Sequence, residues 1–112
     1  MKRYCLTLDL KNDPELIQEY EDHHKNVWNE IISSIRDSAI TGMEIFRLGT
    51  RLFMIMETND DFSFEKKDAA DKKNVKVQEW EDLMWKFQQQ LPGAAEGEKW
   101  MLMKKIFDLK EF

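Results

Sequence analysis

The sequence predicts an α+β domain whose elements run β-α-β-β-α-β, an antiparallel sheet with its helices on one face in the ferredoxin-like arrangement. Three observations predict it. Residues Tyr4 to Leu10 alternate between apolar and polar. Two helical stripes, beginning near Pro14 and Lys76, flank a pair of short apolar runs around Gly49. A second alternating run, Trp100 to Leu109, closes the chain. With 112 residues the whole chain, 1–112, reads as a single domain with one core.

Each element follows from its own pattern. In the first run Tyr4, Leu6, Leu8 and Leu10 lie on one face and Cys5, Thr7 and Asp9 on the other. That period of two marks a half-buried strand. Asp13-Pro14 then supplies a helix cap followed by a residue suited to the first turn. Leu16, Tyr20, His24, Val27, Ile31 and Ile35 recur at three- and four-residue spacing, predicting one helix to about Ser38. Met43–Leu48 and Leu52–Thr58 read as a hairpin joined by Gly49-Thr50-Arg51. After the break at Asn59-Asp60-Asp61, the charged stretch from Phe62 to about Lys73 predicts a short, weakly packed helix. A second amphipathic helix is expected from about Lys76 to Gln90, burying Val77, Trp80, Met84, Phe87 and Leu91, with Pro92-Gly93 as its stop.

Helices on one face leave the other bare, yet Phe46, Phe53, Ile55, Met101, Met103 and Phe107 place bulky apolar groups on both faces of the strands. A ligand pocket or a second subunit should cover that face.

Composition narrows the function. Seventeen basic against 22 acidic side chains leave a net charge of −5, which argues against nucleic acid as a partner. One cysteine, Cys5, forms no disulfide within the chain and fits a reducing compartment. No apolar run approaches the roughly 18 residues of a membrane span. The Met-Lys-Arg-Tyr-Cys-Leu-Thr-Leu-Asp start does not read as a signal peptide, so a cytoplasmic protein is expected.

Few residues can carry chemistry. His23 and His24 are adjacent, so on a helix they point roughly 100° apart and do not chelate a metal from one face. Gly42, Gly49, Gly93 and Gly97 are isolated and form no phosphate loop, and no nucleophile elbow is present. Tyr20 and His24 are i and i+4, which sets a phenol beside an imidazole on the core-facing stripe, with Trp28 one turn further. A histidine titrating near neutrality beside a hydroxyl suits proton transfer. The same pattern also fits a buried histidine bonded to a backbone carbonyl, with Tyr20 as ordinary core. Trp80 and Trp100 fall on buried stripes and read as core. Trp85, beside Met84 and just off that stripe, suits the rim of a pocket, where an aromatic face can stack on the C–H face of a sugar.

Taken together, the strand Met-Lys-Arg-Tyr-Cys-Leu-Thr-Leu-Asp-Leu, the motif Tyr20-x-x-x-His24-x-x-x-Trp28, the run Arg51-Leu52-Phe53-Met54, and Glu79-Trp80-Glu81-Asp82-Leu83-Met84-Trp85-Lys86-Phe87 ending at Leu91-Pro92 resemble the L-rhamnose mutarotase family. The likeness runs nearly end to end and is nearest the branch labelled L-fucose mutarotase. It implies an isomerase that interconverts the α and β anomers of a 6-deoxy-hexose such as L-rhamnose or L-fucose. It implies no cofactor and no metal. It also implies a homodimer joined through the sheets, a dimeric α+β barrel, with a monosaccharide as the other partner. By resemblance His24 is the proton donor, Tyr20 contacts the sugar, and Met43, Met84, Trp85 and Trp28 line the site.

Three departures accompany the likeness. Met43 stands where the rhamnose branch carries a tyrosine, Met84-Trp85 replaces a tandem Trp-Trp, and Asn26 and Asn29 replace prolines. They leave the proton donor in place and bear on which sugar is taken. Mutarotation needs one proton delivered to the ring oxygen and one removed from the anomeric hydroxyl, so a carboxylate or a water must serve as base. Asp9, Glu44 and Glu57 on the strands are the candidates considered, each equally readable as a solvated carboxylate. Two other classes fit the same fold. One is another dimeric α+β-barrel protein, such as a cofactor-free monooxygenase or a haem-binding module; the other is a sugar-binding domain without catalysis.

Overall fold

A computed structural model describes residues 1–112. The chain runs β1 (Lys2–Leu10), α1 (Pro14–His24), α2 (Asn29–Asp37), β2 (Ile40–Leu48), β3 (Arg51–Thr58), α3 (Phe64–Lys72), α4 (Val75–Trp85), β4 (Gln88–Gln89) and β5 (Met101–Leu102). A 3-10 turn, Leu109–Glu111, follows near the C-terminus. The sheet order is β2-β3-β1, with β4 and β5 both pairing with the far side of β1, and every pairing is antiparallel. This is the α+β arrangement expected from the sequence.

Local signals account for most element starts. Asp13 is extended, accepts hydrogen bonds from the amides of Glu15 and Leu16, and precedes Pro14 at the first helical position. Ser63 and Asn74 cap α3 and α4 in the same way. The β2–β3 connection is tighter than the three residues expected. Leu48 pairs directly with Arg51, so Gly49-Thr50 alone makes the turn, and Gly49 sits at φ +59 where a side chain would be strained.

Three expectations are corrected. The first helix does not run unbroken to Ser38. Lys25 caps α1, and Trp28 takes an extended conformation (φ −56, ψ 139) from which its carbonyl accepts the amides of Ile31 and Ile32. Asparagine competes poorly for helix interior positions, and the break lets the Trp28 indole pack edge-on against Trp80, ring centroids 5.1 Å apart. The second amphipathic helix ends at Trp85 rather than Gln90, because residues 86–89 turn onto the sheet. Phe87 accepts a hydrogen bond from the Lys11 amide, and Gln88 and Gln89 pair with Leu10 and Asp9. The last strand is reduced to Met101–Leu102 against Thr7 and Leu6, plus a bond from the Met103 amide to the Cys5 carbonyl. Beyond it Ile106, Leu109 and Phe112 are exposed.

The core divides in two. One cluster joins Leu10 and Leu52 of the sheet to Tyr20, Ile31, Val77, Trp80, Met84 and Phe87. The other holds Leu6, Ile40, Met54, Met56 and Phe62 at the opposite end of the sheet. Both lie on the helix side. On the other side Thr7, Phe53 and Phe46 stand opposite one another across three strands, and Phe46 is 51% exposed. No helix of the protein is long and apolar enough to cross a membrane.

Candidate active site

On the helix side, a cleft of about 320 Å³ opens between the C-terminal half of α1 and β2. That lies within the roughly 300–1,000 Å³ typical of small-molecule sites. Tyr20, Glu21, His24 and Lys25 contribute from the helix, and Ile45 and Arg47 from the strand. A larger depression, about 520 Å³, lies between the N-terminus and the C-terminal tail, lined by Arg3, Lys105, Asp108 and Lys110 among others, and contains no histidine.

His24 is placed by the helix that carries it. Its Nδ1 lies 2.8 Å from the carbonyl oxygen of Tyr20. A carbonyl only accepts, so Nδ1 carries the hydrogen and Nε2 is the nitrogen that gains and loses a proton. The Tyr20 ring lies alongside, 4.3 Å between centroids, as the i, i+4 spacing predicts. The imidazole is partly buried, and desolvation of its charged form holds its pKa below the ordinary 6.5. The Tyr20 carbonyl opposes that shift and the neighbouring His23 adds to it. His24 is thus a carbonyl-bonded, half-buried histidine that lines an open cleft.

Tyr20 is 4% exposed. Burial pushes its phenol up to about 12, the Gln88 carboxamide pulls the other way, and the negative charge of Glu81 reinforces the rise. It is a neutral hydroxyl at any physiological pH.

The aromatic wall beside His24 is Trp80, edge-on at 5.8 Å, with Trp28 packed behind it. Sequence reasoning assigned Trp80 to the core alone; its core stripe is real, but the same ring also meets the imidazole. Met84 lies in the core cluster with Tyr20. Trp85 is on the other flank of α4, under the ammonium of Lys99 at 4.6 Å, and Met43 packs against the second core cluster; neither lines the cleft. His23 packs against Phe87, ring centroids 5.5 Å apart, and also lies edge-on to Trp80 at 6.4 Å.

The strand carboxylates lie on the wrong side. Asp9 pairs with Arg51 and Glu57 with Arg3, and Glu44 alternates with the cleft-lining Ile45, so all three face away from the helices. The cleft holds two charged groups that sequence reasoning missed. Arg47 reaches from β2 to Glu21 of α1, Nε to Oε1 3.3 Å, and donates from Nη1 to the Gly49 carbonyl at 2.8 Å. Glu21 was detectable, since i and i+3 are neighbours on a helix. Arg47 was not, because its partner is 26 residues away.

The chain is a small antiparallel α+β domain that sets one tautomer-fixed histidine and a neutral phenol in a helix–sheet cleft, a pair of groups chemically able to hand over a proton. Residues 3–109 match the L-rhamnose mutarotase family over nearly the whole chain. The chain is 44% identical over 113 residues to an L-fucose mutarotase of Xanthomonas campestris pv. campestris, covering 99% of this chain and 90% of that one. A protein of Dictyostelium discoideum is 42% identical over 118 residues, with 99% and 92% covered. The crystal structure of an L-rhamnose mutarotase from Formosa agariphila superposes with a TM-score of 0.72 at 19% identity, covering 97% of this chain and 99% of that one. The chain belongs to the L-rhamnose mutarotase family and is a carbohydrate isomerase.

Proposed function

We propose that this protein interconverts the α and β anomers of a 6-deoxy-hexose pyranose in the cytoplasm, with L-fucose the first sugar to test and L-rhamnose the second. The relative named for L-fucose is 44% identical over almost all of both chains, which sets that order. The observation that carries the reading is His24, whose Nδ1 is committed to the Tyr20 carbonyl inside an open cleft. That commitment leaves Nε2 as the single proton-donating atom.

In the forward step the imidazolium gives its Nε2 proton to the ring oxygen as the C1–O5 bond breaks. The anomeric hydroxyl loses its proton and becomes the aldehyde carbonyl. Rotation about C1–C2 turns the aldehyde over, and closure returns both protons. No electron leaves the sugar. A positioned acid or base contributes about 10²–10⁴-fold each, enough for a reaction that also proceeds unaided. Tyr20 offers a neutral hydroxyl to the sugar, and Trp80 with Trp28 supplies the apolar wall next to the reacting groups. Met84 packs with Trp80 and Tyr20 in the core cluster behind the cleft.

The apolar sheet face is the proposed homodimer surface. Phe46, Phe53, Ile55, Met101 and Met103 present it, and a second copy covers it. Saturation-difference NMR on the anomeric protons of L-fucose and L-rhamnose tests the activity directly. Exchange faster than in the protein-free control is expected for at least one sugar, and its absence for both sinks the reading.

A further inference from the structure

Mutarotation needs a group to take the anomeric proton while His24 serves the ring oxygen, and we infer that Glu21 is that general base, with Arg47 as the residue that positions it. The assignment rests on the mutarotase reading of the cleft and specifies its second proton-transfer group. Among the cleft's lining residues Glu21 is the one carboxylate. It sits three residues before His24 on α1, and i, i+3 side chains are neighbours about 5–6 Å apart at Cβ, a separation that brackets the ring oxygen and the anomeric hydroxyl of one pyranose. Arg47 anchors Oε1 from the opposite wall, while Oε2 accepts no hydrogen bond from the protein. Arg47 itself is fixed by the Gly49 carbonyl through Nη1, and its Nη2 makes no bond to the protein. One carboxylate oxygen and one guanidinium nitrogen thus remain for a sugar hydroxyl.

The pair is ill suited to a purely structural role. Both side chains are partly exposed, 33% for Arg47 and 43% for Glu21, and ion pairs of that kind contribute little to stability. Tyr20 does not compete for the role, because its phenol ionises far above neutral pH. Lys25, the remaining charged group on the helix side, is engaged with Asp22.

The step balances. Glu21 Oε2 takes the hydrogen of the O1–H bond, and that bonding pair becomes the second C1–O1 bond. The C1–O5 bond breaks, and its pair takes the Nε2 proton of the His24 imidazolium. The products are the open-chain aldehyde, a protonated Glu21 and a neutral His24. Closure on the other face returns the carboxylic proton to O1 and the O5 proton to Nε2.

The test compares wild type, Glu21→Gln, Glu21→Asp and Arg47→Met by anomeric exchange NMR at one pH, with kcat and KM determined separately. The charged groups facing Glu21 are Arg47 from β2 and His24 and Lys25 on α1. Glu21→Gln is expected to lose about 10²–10⁴-fold in kcat with little change in KM. Glu21→Asp should recover part of the rate, and Arg47→Met should raise KM and lower kcat together while circular dichroism stays unchanged. A Glu21→Gln variant within roughly threefold of wild type in kcat, or one whose loss lies in KM alone, overturns the role of Glu21 while leaving the mutarotase reading standing. If wild type itself accelerates neither sugar, both fall together.

Discussion

The Nδ1 atom of His24 lies 2.8 Å from the carbonyl oxygen of Tyr20, one helical turn earlier on α1. This bond fixes the imidazole tautomer with backbone rather than with a carboxylate, so no negative charge holds the ring protonated. Burial then decides the balance, and the pKa lies below 6.5.

The first consequence is in the rate. If His24 donates as the imidazolium, exchange falls as pH rises through its lowered pKa, and the fastest exchange lies on the acidic side of 6.5. His24→Gln should cut the rate by about 10²–10⁴-fold and abolish the alkaline fall. Exchange NMR between pH 5 and 8 reads both, and an alkaline limb that survives in the variant rejects His24 as the donor.

Stability should move in the opposite sense. The unfolded histidine binds its proton near 6.5 and the folded one at lower pH, so between those values the unfolded state holds more protons. The contribution is complete above 6.5 and is lost as pH falls through the folded pKa. Urea midpoints of wild type and His24→Gln should therefore converge or cross on acidification, with wild type losing more. Parallel curves count against a buried imidazole.

Tyr20 supplies the alkaline counterpart. Its folded pKa of about 12 exceeds the unfolded 10.0, so its stabilisation is present below 10 and is lost as pH rises toward 12. Two units correspond to about 3 kcal/mol at most. Wild type should lose roughly that much relative to Tyr20→Phe over this window, measured by denaturant unfolding. A constant difference argues that the phenol is solvated.

The bare sheet face yields a prediction about assembly. Phe53 and Ile55 sit at its centre on β3, between Thr7 and Cys5 on one side and Phe46 and Glu44 on the other. Phe53→Lys or Ile55→Lys should convert a dimer into a monomer in sedimentation velocity while helix and sheet content are retained. Wild type that sediments as a monomer at micromolar concentration rejects the sheet-face interface.

How much of this was legible in the residues depends on the range of the interaction. Alternation in Tyr4–Leu10 and the Asp13-Pro14 start are local, and β1 and α1 follow them. The break at Lys25–Trp28 was hidden because the stripe of apolar residues continues across it, through Val27 to Ile31, with no proline to mark the boundary. Gln88-Gln89 read as helix because their only reason to leave it is β1, almost eighty residues earlier in the chain. Trp80 and Trp85 differ by five positions on one helix, and choosing between them as the neighbour of His24 needs the rotation of α4 against α1.

By itself the sequence determined the element order, the capped start of α1, and the juxtaposition of Tyr20 with His24, because the pitch of a strand or helix converts spacing directly into neighbourhood. Only the tertiary structure decided that Trp80 walls the imidazole, that Asp9, Glu44 and Glu57 face away, and that Glu21 meets Arg47 across the cleft. Those outcomes depend on sheet register and helix rotation, which are set by packing between residues far apart in the chain.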